Sequence, residues 1–151
     1  TYNLEQGYVE GGDILRINNH FIIGISGRTN ETGAKNLINI IEKNGGTSEI
    51  AITPENTLHF KSECSLLDEE TILATDNLIK SDFFNKKYRI IKVPKGEETG
   101  ANCLRINEHL LIPKGYDRLL DLVSKDYKIR VLDVTEMEKV DAGLSCLSLR
   151  W

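Results

Sequence analysis

No stretch of this sequence approaches the ~18 consecutive apolar residues that a membrane helix needs, and its longest apolar pieces are of strand length. No membrane span is expected. The sequence also lacks a block of one charge. Its formal net charge is -4, and Lys and Arg are scattered among acids, so a nucleic-acid groove has little support. A small-molecule or protein partner is expected instead. Cysteine is scarce: Cys64, Cys103 and Cys146 cannot all pair, and their wide spacing fits neither a disulfide framework nor a CxxC zinc pattern. They are read as reduced thiols in a cytoplasmic setting. There is no Gly/Ser-rich linker or low-complexity tract, so the 151 residues, 40% hydrophobic, read as one domain able to bury a sizeable core. The chain opens on Thr1 and not on Met, so the start of the natural protein is expected to lie upstream.

A repeat is present. "LRINNHFIIGIS" at 15–26 returns as "LRINEHLLIPKG" at 104–115, each reading as two short strands around an Asn-Asn or Asn-Glu turn. The first copy is followed by Ala34, Leu37, Ile38 and Ile41 at helical spacing, with Gly45-Gly46 as the stop. The second is followed by Leu119, Leu120 and Val123 on one helical face and then the strand "KIRVLDV". Between them, "SLLDEETILAT" and "YRIIKVP" give a looser version in which "DNLIKSDFFNK" stands for the helix. The expected fold class is therefore α/β, built of ββαβ modules at roughly 8–50, 51–98 and 99–151. Such modules favour a stacked or radial repeat over a doubly wound sheet, because each needs neighbours to cover its apolar faces.

The residues with chemical potential lie at the module edges, in "GYVEGGD", "GISGRTN", "TLHFKSECS" and "GLSCLSLRW". A thiol at neutral pH is only a few per cent thiolate unless a His or a cationic substrate lowers its pKa. Cys146, in a Gly-Leu-Ser-Cys turn, is the candidate nucleophile and His59 the candidate acid/base. Glu10, between Val9 and a Gly-Gly turn, is the candidate orienter of that His. Each has a plainer reading. A lone Cys in an apolar stretch is more often a small buried hydrophobe, Glu10 can be a solvated charge, and Arg28 can serve a helix start in "RTN". His20 and His109 hold matching turn positions and read as repeat-related surface residues, while Cys64 and Cys103 read as packing residues.

Taken together, "VEGGDIL", "IGISGRTNETGA", "LHFKSECSLL", "ANCLRINEHLLIPKGY" and "KVDAGLSCLSLRW" occur in this order in the dimethylarginine dimethylaminohydrolases, and the chain resembles that family over nearly its whole length. They belong to the guanidine-modifying superfamily with the pentein fold, a five-bladed α/β propeller of ββαβ modules. The resemblance implies that about three of five modules are present, as the C-terminal portion of a single propeller domain. It implies a Cys-His-Glu hydrolase that releases citrulline and an alkylamine from Nω-methylated arginine, with no metal or organic cofactor. It puts the nucleophile on Cys146, the acid/base on His59, the neighbouring acid on Glu10 and the grip on the substrate carboxylate on Arg28. The main-chain carbonyl of Val140 would hold the substrate's α-amino group.

One position separates the family from its cousins. Arginine deiminases, agmatine deiminases and amidinotransferases of this fold carry an Asp two residues after the catalytic His, where this chain has Lys61. Losing a carboxylate there makes room for a methylated nitrogen that has no protons to donate. Dimethylarginine is the preferred substrate; an arginine deiminase-type hydrolase and a non-catalytic pentein interaction module are the alternatives. The acidic segment with which the family clamps the guanidinium is not found here. The missing part is expected from an N-terminal segment or from a second chain of the same fold, with a homo-oligomer as one form of the latter.

Overall fold

A computed structural model describes residues 2–84 and 87–148, which divide into two compact units, Thr1–Lys61 and Ser62–Trp151. The first unit begins with a 3-10 turn at Gly11–Asp13 and continues into β1 (Ile14–Ile17), β2 (His20–Ile25), α1 (Glu31–Lys43) and β3 (Thr47–Ile52). β1 and β2 form the antiparallel hairpin expected from "LRINNHF", with Ile17 opposite His20. The turn needs a residue that tolerates the left-handed region, and Asn18 sits there at φ 55. α1 starts where Asn30 offers its side-chain oxygen to the Gly33 N–H at 2.8 Å, and stops before Gly45 at φ 80. Its apolar face, Ala34, Leu37, Ile38 and Ile41, packs against Phe21, Ile23, Ile25 and Ile50 of the sheet. The crossover through α1 brings β3 parallel to β2, pairing Ile22 with Glu49.

The second unit repeats this plan twice. β4 (Cys64–Leu66), β5 (Thr71–Ala74), α2 (Asp76–Ile79) and β6 (Arg89–Lys92) form one three-stranded sheet with its helix. β7 (Leu104–Ile106), β8 (His109–Pro113), α3 (Asp117–Val123) and β9 (Lys128–Leu132) form the other, and α4 (Thr135–Glu138) follows. Asn107 at φ 54 matches Asn18 in the corresponding turn. The core of this unit joins Leu67, Leu73 and Val93 of one module to Leu110, Ile112, Leu119 and Val123 of the next. Burying each such side chain contributes about 1.5–3 kcal/mol. Every module thus reads strand, strand, helix, strand, with the hairpin antiparallel and the closing strand parallel.

The middle helix is shorter than "DNLIKSDFFNK" suggests. Thr75 caps it through the Leu78 N–H, but after one turn Asp82 takes a left-handed conformation, φ 58, and the helix does not continue past Ile79. Phe83 and Phe84 stack edge to face at 5.1 Å instead of prolonging a helical stripe. Asn85 and Lys86 of that segment, and the last three residues of "GLSCLSLRW", lie outside the described residues. Among the described residues no helix is long and apolar enough to cross a membrane.

Candidate active site

In the first unit, the turn at Gly11–Asp13 brings Glu10 to His59. His59 is 8% exposed, and its Nε2 lies 3.0 Å from Glu10 Oε1. That contact is an ion-pair approach, and neither ring nitrogen, both buried, is hydrogen-bonded among the described residues. Leaving a buried polar atom unpaired costs about 1–3 kcal/mol. A histidine present only for packing has no reason to bear it. His20 shows the contrast. Half-buried at the head of β2 and not simply at the surface, it is satisfied by Thr47 Oγ1 at 2.8 Å and Glu49 Oε1 at 3.0 Å.

Gly12 explains how the imidazole comes so close to the chain. A Cβ at position 12 would lie 2.6 Å from His59 Cγ, so only glycine lets the ring lie flat on this turn. Arg28, exposed in the "GISGRTN" loop, joins the same group: its Nη1 is 3.4 Å from both carboxylate oxygens of Glu10. Partial burial opposes ionisation of Glu10, but His59 and Arg28 outweigh it and hold the carboxyl below the ordinary glutamate range. The first unit therefore assembles three of the sequence candidates, Glu10, Arg28 and His59, into one carboxylate-centred cluster.

The other two candidates belong to the second unit. Cys146 is exposed, and it sits in a turn closed by its N–H donating to the Gly143 carbonyl at 3.0 Å. Cys64 and Cys103 are both buried, Cys103 donating its thiol to the Gly100 carbonyl at 3.0 Å, and burial pushes the Cys103 thiol up to about 12. Of the three thiols, Cys146 alone combines access with a turn position. Val140 is 71% exposed just ahead of that turn.

Sequence reasoning missed one neighbour of the thiol. Asn102, buried in the "GANC" segment, accepts from the Ser145 N–H at 2.9 Å and directs its amide N–H at Cys146 Sγ, 3.9 Å away. Gly143 has no room for a Cβ because the Asn102 amide occupies that space. The sequence signal was an Asn next to a Cys in a segment shared with a known family, but nothing local tied it to position 146. Among the described residues no group of three or more His, Cys, Asp or Glu side chains is arranged to hold a metal ion.

The sequence profile of a family described as arginine deiminase matches residues 1–111. The N(G),N(G)-dimethylarginine dimethylaminohydrolase of Pseudomonas aeruginosa is 36% identical to this chain, covering 96% of the chain and 57% of that relative. The enzyme of the same description from Streptomyces coelicolor is 30% identical, over 97% of the chain and 55% of the relative. A solved structure of the enzyme from Pseudomonas aeruginosa, a cysteine-to-serine mutant complexed with citrulline, superposes with a TM-score of 0.91 at 35% identity, covering 97% of this chain and 57% of that one. The chain therefore spans a little over half the length of the curated relatives it matches.

Proposed function

The chain belongs to the arginine deiminase family, and on that premise we propose that it is the C-terminal portion of a single-domain pentein hydrolase converting dimethylarginine to citrulline and dimethylamine. In this reading the modules run roughly over 8–50, 51–98 and 99–151, and an N-terminal segment or a second chain supplies the guanidinium clamp. The observation that carries the proposal is His59, buried with its Nε2 3.0 Å from the Glu10 carboxylate and neither ring nitrogen hydrogen-bonded among the described residues. An imidazole held in that state has its proton-transfer positions available for a reacting group. The choice of substrate is supported by Lys61, where a carboxylate would favour unmethylated NH2 groups, and by the description shared by the two relatives.

The roles follow from the chemistry. The Cys146 thiolate adds to the guanidinium carbon, and the tetrahedral adduct collapses as His59 gives a proton to the departing dimethylamine. An S-alkylthiouronium remains on Cys146. His59, now neutral, takes a proton from water; the hydroxide adds to the same carbon, the thiolate leaves, the added hydroxyl gives up its proton to solvent, and citrulline is released. Glu10 orients the imidazole and stabilises its charged form. Arg28 uses only Nη1 on Glu10 among the described residues, and its other donors suit the substrate carboxylate. The Val140 carbonyl takes the α-amino group. Neither a metal nor an organic cofactor enters this mechanism, and the exposed thiol suits a reducing, cytoplasmic setting.

The test is citrulline release by the full protein from dimethylarginine and from arginine, measured side by side. Turnover of dimethylarginine in preference to arginine is the expected result. Preference for arginine would transfer the assignment to a deiminase, and no turnover of either would support a non-catalytic interaction module.

A further inference from the structure

Asp13 is a charged-type residue with no exposed surface, and it has no place in the chemistry above. Burying such a group is costly unless its oxygens are fully occupied, and here they are. The Phe60 N–H donates to Oδ1 at 2.8 Å, while the Ser26 and Thr29 hydroxyls donate to Oδ2 at 2.7 and 2.6 Å. These donors come from two stretches of the first unit, Phe60 from the segment of His59 and the two hydroxyls from the "GISGRTN" loop. Each stretch carries one member of the candidate site or the hydrogen bond that fixes it.

The connections run one bond further. Phe60 directly follows His59, so the 2.8 Å bond to its N–H fixes the backbone from which the imidazole projects. The Thr29 hydroxyl, having given its proton to Asp13, accepts the Glu10 N–H at 3.0 Å, and the Asp13 N–H itself donates to the Glu10 carbonyl at 2.9 Å. The Ser26 hydroxyl, likewise spent as a donor, accepts the Arg28 N–H at 2.9 Å. A hydroxyl whose proton is committed presents a lone pair in a fixed direction, so Asp13 sets the polarity of both relays.

We propose that Asp13 is a positioning residue that holds Glu10, Arg28 and His59 in common register through separate arms: Thr29 to Glu10, Ser26 to Arg28 and the Phe60 N–H to His59. The inference rests on the functional reading above for what the register serves. It adds a prediction that this reading does not contain: the arms are separable. The Thr29 arm acts on the acid beside the general acid/base and belongs to the chemical step, whereas the Ser26 arm acts on the carboxylate grip and belongs to binding.

The experiment compares Asp13→Asn, Thr29→Val and Ser26→Ala in the full protein, with Tm recorded for each. An amide has one accepting oxygen in place of two, so Asp13→Asn must release at least one arm. It is expected to lower kcat/KM by ~10²-fold, the scale of an ~1 Å misplacement. Thr29→Val is expected to lower kcat by ~10-fold, and Ser26→Ala to raise KM by ~10-fold, each by the loss of one polar anchor. A purely structural carboxyl would lower Tm in all three and leave the kinetic constants of the folded fraction within twofold of wild type, which would overturn the proposal. If Asp13→Asn does not fold, the two hydroxyl variants carry the test, because the kcat-against-KM split depends on them alone. A second readout is independent of turnover. The His59 imidazole 15N resonances, assigned with His59→Gln, are expected to move in Asp13→Asn and Thr29→Val. Wild-type protein that turns over neither substrate while those resonances move would overturn the functional reading and leave the hub standing; unmoved resonances in folded variants would overturn the hub.

Discussion

At the scale of single residues, Cys146, His59 and Glu10 could be singled out in the sequence as candidates because a thiol, an imidazole and a carboxylate are recognisable by type. Their supports could not. Gly12, Asn102 and Asp13 each meet an atom 44 to 47 positions away, His59, Cys146 and the Phe60 N–H in turn, and no local pattern encodes which distant atom a residue will meet. Gly12→Ala places a methyl 2.6 Å from the His59 ring, so the imidazole must move, and kcat for dimethylarginine is expected to fall by ~10²-fold in the folded protein, with Tm lowered by the overpacking. Unchanged turnover would show that the ring has freedom the packing denies. Asn102→Leu removes both the amide aimed at Sγ and the acceptor of the Ser145 N–H, so the turn that presents the thiol loses its anchor and alkylation of Cys146 by a haloacetamidine is expected to slow severalfold. In the wild type the same reagent should label exposed Cys146 ahead of buried Cys64 and Cys103; equal labelling of all three would remove Cys146 as the nucleophile.

At the scale of elements, the hairpins and α1 were readable because their signals are local: alternating strands about Asn turns, an apolar stripe, a Gly stop. α2 was overread because "DNLIK" begins as a capped helix while the left-handed Asp82 that ends it leaves no mark in hydrophobic spacing. α3 shows the opposite case, a helix whose start depends on a remote group. Its N-cap residue Tyr116 makes no side-chain cap, and Glu97 supplies one from twenty-odd residues upstream, accepting the Leu119 N–H at 2.8 Å, the Arg118 N–H at 3.3 Å and Arg118 Nε at 3.0 Å. Burial works against the Glu97 charge, but these donors outweigh it and hold its folded-state pKa below the ordinary 4.5. A depressed carboxylate contributes stability that is fully present above its unfolded pKa and lost as pH falls through the folded one. Glu97→Gln is therefore expected to cost about 1–3 kcal/mol at pH 7. The gap from wild type should close as pH falls below the 4.5 of an unfolded glutamate. A gap that is constant between pH 7 and pH 3 would mean the side chain acts by shape and not by charge.

At the scale of the whole molecule, repetition made the fold visible in the sequence: one ββαβ plan occurs three times, and the sheets follow it. The division of the chain was not visible, because no linker marks it. Residues 1–61 and 62–151 form separate compact units without a Gly/Ser-rich join. The first carries Glu10, Arg28 and His59, and the second carries Cys146 and Val140. On the reading that the family's acidic guanidinium clamp lies in an N-terminal segment, the 151-residue chain alone is expected to turn over dimethylarginine at least ~10²-fold more slowly than the full protein. Activity is expected to rise when that segment is supplied as a separate polypeptide, and full activity of the chain alone would contradict this. The central claim, covalent attack by Cys146 on a methylated guanidinium, is tested most directly by acid-quenching the full protein during turnover of dimethylarginine and mapping the adduct by peptide mass. The account predicts a thiouronium adduct that has lost dimethylamine, confined to the peptide containing Cys146 and absent from Cys146→Ser. Citrulline formation that persists in Cys146→Ser, or an adduct on any other residue, would contradict it.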